Sequence, residues 1–283
     1  MKNIAENTIV KSISLFILLL SIICNTLPTN ASDSTRSKNL YQTIMSDFNA
    51  AYSDGKYLVS ELFSPQIGHI LYPAVGISTT FVSAQFDNRI RYPEHSRYTD
   101  KILKQPGELS TAAVLPSVIY VSGLIFNDEK IRTTGRMLFE SLLLAGVING
   151  SLKYTLGRAR PFMNMGNSQF EYFESDNSFQ SLPSGHTTVA FTCATLLSER
   201  IDNIYASIAL FAVAGGTAYE RIRSDNHWFS DVVLGAGIGM FSAYSIVKAN
   251  NDVENSANTN SFSMQIIPII NRSGVGISLN ALW

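Results

Sequence analysis

Charge and cysteine are both scarce in this sequence. Only 15% of its 283 residues are charged and the net charge is −1, where soluble domains average about 25% charged residues. There is no basic stripe to hold a nucleic acid and no polybasic run to hold an anionic membrane surface. Two cysteines, Cys24 and Cys193, supply no Cys/His grouping with zinc spacing, and no Asp/Glu cluster resembles a magnesium or calcium cage. No metal site and no cofactor are therefore expected, and no internal repeat is present. Apolar residues make up 46% of the chain, gathered into uncharged runs that read as helices.

The amino end reads as a targeting segment. Lys2 and Lys11 precede the apolar stretch Ile13 to Cys24, and Thr29-Asn30-Ala31 offers a small-residue cleavage site. The apolar stretch is short for a membrane span, so a signal peptide over 1–31 is expected. Ile23 before Cys24 argues against lipoprotein processing. Cleavage would leave Cys193 alone, with no internal disulfide, which suits a bacterial envelope protein.

Three islands in the second half carry the chemistry: Lys153-x6-Arg160-Pro161, Pro183-Ser184-Gly185-His186, and Arg221-x5-His227-x3-Asp231. A phosphoryl group in transfer spreads charge over three oxygens, so its catalysis is mostly positioning and electrostatic clamping. Lys153, Arg160 and Arg221 can form that clamp, the arginines through their planar forks. Lys153 and Arg160 lie about two helical turns apart, on one face, and Pro161 marks a helix end beside Arg160. Ser184 reads as the N-cap of a helix over the apolar run Thr187–Leu197, with Gly185 permitting close backbone approach to an anion. His186 in that first turn can protonate a leaving oxygen. Asp231, four residues beyond His227, can hold one imidazole nitrogen protonated and free the other to attack phosphorus. Singly, each island is more often a solvated face, a turn or a local contact. Together, in this order, they read as one site.

The set resembles the signature of the type 2 phosphatidic acid phosphatase superfamily, which also holds class A acid phosphatases and vanadium haloperoxidases. The resemblance covers roughly residues 110–248. It implies His227 as nucleophile, His186 as general acid, Asp231 as orienter, and Lys153, Arg160, Ser184, Gly185 and Arg221 as phosphate ligands. One departure stands out: the family usually places Ser before the third-island arginine, and this chain has Glu220. A carboxylate there could weaken anion affinity or pair with Arg221.

The expected fold class is all-α: a six-helix bundle of the phosphatidic acid phosphatase type with its site at one end. Core helices are expected at Leu109–Phe126, Met137–Leu152, Thr187–Leu197, Asn203–Tyr219 and Ser230–Val247, the core occupying 109–248. The short Arg200-Ile201-Asp202 turn returns the chain and brings His186 level with Arg221. Residues 32–108 read as a helical region followed by a charged connector, Asp87 to Glu108. His69 and His95 there have no partner pattern. An Asn/Ser-rich linker, 249–261, precedes a C-terminal β-hairpin, 262–283, with Asn271-Arg272-Ser273-Gly274 as its turn and Pro268 favouring an edge.

These readings imply a metal-independent phosphatase acting through a phosphohistidine on a phosphomonoester or pyrophosphate of a membrane lipid. The alternatives are a soluble periplasmic acid phosphatase, a vanadate-dependent haloperoxidase and an inactive envelope scaffold. The expected partners are a lipid phosphate or small phosphoester and a membrane, with no nucleic acid. The expected place is the bacterial inner membrane with the site facing the periplasm, or the periplasm itself. That orientation holds if Gln66–Phe86 does not cross the membrane and reverses if it does.

Overall fold

The computed structural model describes residues 40–62, 67–91, 100–259, 263–271 and 274–282. The expectations for residues 1–31, for Cys24 and for His95 lie outside the described residues.

Helical periodicity and uncharged runs produce a largely helical chain. Eight α-helices occur among the described residues: α1 (Leu40–Leu62), α2 (Ile67–Ala84), α3 (Asp100–Lys104), α4 (Leu109–Ile125), α5 (Glu129–Leu156), α6 (Gly185–Ile201), α7 (Ile204–Arg223) and α8 (Phe229–Thr259). The five apolar runs read from the sequence correspond to α4–α8. α5 and α8 run well past the boundaries that apolar content alone suggested.

Local chemistry sets several ends. Asp128 caps α5 by accepting from the Ile131 amide at 2.9 Å, and Gly157 closes that helix in the left-handed region at φ 57°. A side chain at Gly157 would collide with the Glu171 carbonyl, so this position needs glycine both for its backbone and for space. Asn203 caps α7 by accepting from the amides of Tyr205 and Ala206.

α6 is the central helix, packed against α5, α7 and α8; α4 lies along α5, and α2 along α8. The core between them holds Ile119, Met137, Leu138, Leu142, Leu196, Leu197 and Ile246. α6 and α8 approach closely because α8 carries glycine at the contact. A Cβ on Gly235 would lie 2.6 Å from the Ser184 carbonyl, and one on Gly239 would lie 2.6 Å from the Thr188 carbonyl. This contact sets the start of α6 against the start of α8, where Ser184 N–H donates to the Asp231 carbonyl at 2.9 Å. Gly235→Val should therefore force these helix starts apart. Loss of most activity, together with a lowered melting temperature, is the expected result; Gly237→Val, which meets open space, should change neither.

The linker expected at 249–261 is mostly helix. α8 continues to Thr259, because tertiary contacts override the weak helix propensity of its asparagines. Arg136 donates to Asn250 at 2.5 Å and Tyr57 donates to Asp252 at 2.6 Å. Beyond α8, β1 (Ser263–Asn271) and β2 (Gly274–Leu282) pair antiparallel, from Ser263 opposite Leu282 to Asn271 opposite Gly274.

Candidate active site

The site is assembled where α5 ends and where α6 and α8 begin. Lys153 projects from the last turn of α5, and its ammonium donates to the Gln180 carbonyl at 2.5 Å. Burial, with Arg160 close by, lowers its pKa to about 7. Arg160 follows in the loop, donating from Nε to the Asn177 carbonyl at 2.8 Å and from Nη2 to Asn177 Oδ1 at 2.7 Å. Burial and the neighbouring Arg221 lower its pKa as well, as expected for cations gathered without a full set of counter-charges.

Ser184 occupies the N-cap position of α6, but its hydroxyl does not cap the helix. It pairs with the Thr187 hydroxyl at 2.9 Å and makes no capping bond to the first turn of α6. That turn keeps its positive dipole end for an anion. A Cβ added at Gly185 would lie 3.7 Å from Asn149 Oδ1 and 3.8 Å from Lys153 Cε, so the second island stands close to the first. His186, half-buried in the same turn, places Nε2 3.6 Å from Glu108 Oε1. Glu108 in turn holds Lys104 at 2.5 Å. Gly107 makes this possible, since a Cβ there would lie 2.4 Å from the His186 carbonyl.

Arg221 lies in the last turn of α7 and is engaged by the carboxylate of Glu220, both nearly buried. The Arg221 carbonyl accepts from the His227 amide at 3.2 Å, which ties the third island into one loop. His227 is 3% exposed. Its Nδ1 lies 2.7 Å from the Ser181 carbonyl, and a carbonyl only accepts, so Nδ1 carries the proton and Nε2 keeps its lone pair. Burial pushes the imidazole down to about 3, a shift that Asp231 offsets only in part.

Asp231 departs from the direct pairing expected at i,i+4. Its Oδ2 is 3.7 Å from His227 Nδ1, too far for a hydrogen bond. The reason is local: α8 starts at Phe229, so His227 precedes the helix. The Asp231 carboxylate instead accepts from Ser181 Oγ at 2.5 Å and from the Trp228 amide at 2.8 Å. It reaches His227 through Ser181, whose side chain it holds while the Ser181 carbonyl holds the ring.

Beneath the site lies a buried ion-pair network that the sequence reading missed. Arg158, 3% exposed, donates to Asp231 at 2.6 Å, to Asp87 at 2.7 Å and to Ser230 at 2.7 Å. Its guanidinium also lies over the rings of Trp228 and Phe170. Asp87, in the segment read as a connector, accepts from the Ser230 amide at 2.9 Å. Nearby, Arg91 grips Asp225 through two bonds of 2.7 and 2.8 Å and donates to the Pro161 carbonyl. Together these bonds fix the loop before α8 to the first island.

All eight expected site residues thus fall at one end of the helical core. Lys153, Arg160 and Asp231 each act on the charge of His227, and Arg221 acts on that of His186. Among the described residues, no group of three His, Cys, Asp or Glu is placed to hold a metal ion.

Several known proteins resemble parts of this chain. The PAP2 superfamily profile matches residues 135–254. Lipid A 1-phosphatase of Porphyromonas gingivalis is 36% identical over 115 residues, 38% of this chain and 23% of that protein. Lipid A 1-phosphatase of Rhizobium johnstonii is 31% identical over 136 residues, 46% of this chain and 50% of that protein. An acid phosphatase of Zymomonas mobilis is 28% identical over 133 residues, 46% of this chain and 50% of that protein. The chain thus spans half or less of the length of these curated relatives. Among solved structures, Aquifex aeolicus LpxE is 25% identical, with a TM-score of 0.44, over 59% of this chain and 95% of that one. A Bacillus subtilis transmembrane PAP2-type phosphatidylglycerolphosphate phosphatase is 15% identical, with a TM-score of 0.47, over 74% and 96%. The stretch that resembles the PAP2 superfamily, residues 135–254, is thus the helical core that carries all three islands.

Proposed function

We propose that this protein is a phosphoric ester hydrolase that removes a phosphate from a membrane lipid through a phosphohistidine on His227. The observation that carries the reading is the fixed tautomer of that histidine. Its Nδ1 proton is committed to the Ser181 carbonyl, which leaves the Nε2 lone pair available beside Lys153 and Arg160.

In the first half-reaction His227 Nε2 forms a bond to phosphorus as the bond to the leaving oxygen breaks, and His186 gives that oxygen its proton. In the second, His186 takes a proton from water, the water oxygen bonds to phosphorus, and the P–N bond breaks to release phosphate. Lys153, Arg160, Arg221 and the open first turn of α6, with Ser184 and Gly185, hold the three peripheral oxygens. Asp231 supports the imidazolium side of the cycle through Ser181. No step needs a cofactor.

A lipid substrate suits both the relatives and the surface. Large apolar side chains are exposed all round the helices, including Phe81 on α2, Ile125 on α4, Phe139 and Leu143 on α5, and Ile208 on α7. Water disfavours such a belt and hydrocarbon does not. α8 has a stretch, Phe229–Val253, long and apolar enough to cross a membrane. Orientation and leader are linked in this reading. α2 runs along α8 and ends at the site, as a crossing helix would, so a mature amino end outside the membrane would turn the site inward. A periplasmic site goes with an amino end on the cytoplasmic side, which departs from the cleaved signal peptide expected over 1–31. Mass spectrometry of the intact purified protein should find Met1 retained; a chain starting after Ala31 would reverse the assigned orientation.

The test of function is phosphate release from a panel of lipid A 1-phosphate, phosphatidate, isoprenyl diphosphate and p-nitrophenyl phosphate, with EDTA and with vanadate. Release from lipid substrates that resists EDTA and is stopped by vanadate is expected. Release from p-nitrophenyl phosphate alone would replace this reading with an acid phosphatase, the activity named for the Zymomonas relative.

Two neighbours tune this site. Burial and Arg221 lower the His186 pKa to about 4, Glu108 works against them, and Lys104 lowers it further. Losing the carboxylate disfavours the imidazolium, so in Glu108→Gln the alkaline limb of the pH–rate profile should move to lower pH. The turnover of alkyl phosphates should fall more than that of p-nitrophenyl phosphate, whose leaving group needs no proton. Equal loss on both substrates with an unmoved limb would contradict this role. Glu220 competes with the substrate for Arg221. Glu220→Ser should free the guanidinium and tighten vanadate inhibition about ten-fold, or about 1.4 kcal/mol, the worth of a charge-assisted bond.

A further inference from the structure

α1 has an unusual division of its surface. The side facing the bundle is the charged one. Asp47 forms an ion pair with Arg132 at 2.8 Å and accepts from Tyr120 at 2.9 Å, and Asp54 accepts from Arg136 at 2.7 Å. Tyr57, farther along, donates to Asp252. Asp47 and Asp54 are seven residues apart and so share one face; both are buried, at 8% and 1% exposure. Leu58 also packs against the core, but the strongest ties of the helix are ion pairs on its buried side, which inverts the ordinary pattern of a surface helix.

What remains exposed splits into two flanks. Tyr41, Ile44, Met45, Phe48, Tyr52 and Val59 lie together on one side, Phe48 and Tyr52 at 65% and 69% exposure. Gln42, Ser46, Asn49, Lys56 and Ser60 are exposed on the other. Uniform water would not favour the first flank, and a dry protein interface would not favour two unlike flanks side by side. A boundary between water and hydrocarbon favours both at once, with aromatic side chains at the border.

The place of α1 agrees. Its partners are Arg132 and Arg136 at the start of α5, Tyr120 late in α4 and Asp252 late in α8, all at the end of the bundle away from the site. Arg132 and Lys153 are about 32 Å apart along α5 at 1.5 Å per residue, close to the thickness of a bilayer's hydrocarbon core. Val121, Ile125 and Phe126, at the end of α4 that leads into α5, are exposed as well.

We propose that α1 is an in-plane helix seated at the lipid–water boundary of the leaflet opposite the active site, its Tyr41–Phe48–Tyr52 flank in acyl chains and its Asn49–Lys56 flank in water. This rests on the membrane reading above. The bilayer, not a second copy of the chain or another protein, is the occupant, because only a lipid surface meets both flanks. By fixing Arg132 and Arg136 at this depth, α1 would set the height of α5 and hence of Lys153.

The test uses full-length protein in phosphatidylethanolamine/phosphatidylglycerol nanodiscs, with Cys24→Ser and Cys193→Ala and single spin-labelled cysteines at Phe48, Tyr52, Asn49, Lys56 and Leu143. Labels at 48 and 52 should collide preferentially with oxygen, and labels at 49 and 56 with a water-soluble nickel chelate, an inversion of the ratio between neighbouring residues. Nickel access at all four positions overturns the proposal. Closure of 48 and 52 to both reagents overturns it too, in favour of a protein cover. Leu143 separates the two readings: oxygen access there keeps the membrane bundle whatever α1 does, and nickel access sinks the membrane reading itself.

Discussion

His227→Ala should lower phosphate release at least about 10³-fold while leaving the protein folded. Magnitudes of this order follow removal of a nucleophile whose remaining site still binds substrate. Among the described residues the His227 side chain makes one hydrogen bond, Nδ1 to the Ser181 carbonyl, which a water can replace once the ring is gone. Melting temperature and vanadate binding are therefore expected to change little, and turnover greatly. His227→Gln gives the sharper comparison. Its amide can keep the bond to Ser181 but offers no lone pair of comparable basicity, so it should be as inactive as alanine. The pH dependence follows from the same burial. With its pKa pushed to about 3, His227 stays neutral as the pH falls well below 6.5, so the acid limb of the wild-type profile should lie below pH 5. Activity lost between pH 7 and 6 would mean that His227 titrates like an exposed histidine.

The second large effect concerns folding. Arg158→Met should destabilise the protein by about 3–5 kcal/mol, because it leaves Asp87 and Asp231 buried without their cation. Both carboxylates are essentially inaccessible, at 1% and 0% exposure. A double change, Arg158→Met with Asp87→Asn, removes one of the stranded charges and should recover part of the loss; thermal melts in detergent measure both. The double variant should stay inactive, since Asp231 would still lack the partner that orients it. Recovered activity would show that Arg158 is scaffolding alone.

The extent to which the sequence foretold this site depends on which atoms do the work. Lys153, Arg160, His186, Arg221 and His227 were legible because phosphoryl chemistry restricts side-chain types and their spacing is local. The helices α4–α8 were legible because long uncharged runs have little else to become. Arg158 was not legible: its partners Asp87 and Asp231 lie 71 and 73 residues away, and an arginine in isolation resembles any other. The link through Ser181 was invisible for another reason. It uses a backbone carbonyl, which every residue has. Apolar periodicity also stopped α8 too early, because bonds from Arg136 and Tyr57 hold its polar last turns. Glu220 was the instructive case. The sequence marked it as out of place, and the structure gives its effect, a carboxylate already seated on Arg221.

The most direct test is to trap the covalent intermediate. Wild-type protein is mixed with ³²P-labelled lipid A 1-phosphate, quenched in alkali within the first turnovers, and digested for mass spectrometry. Label that survives alkali, is lost in acid and maps to the peptide holding His227 is the predicted result, with none in His227→Ala. Phosphate released in full with no label on the protein, or release that persists in His227→Ala, would contradict the account.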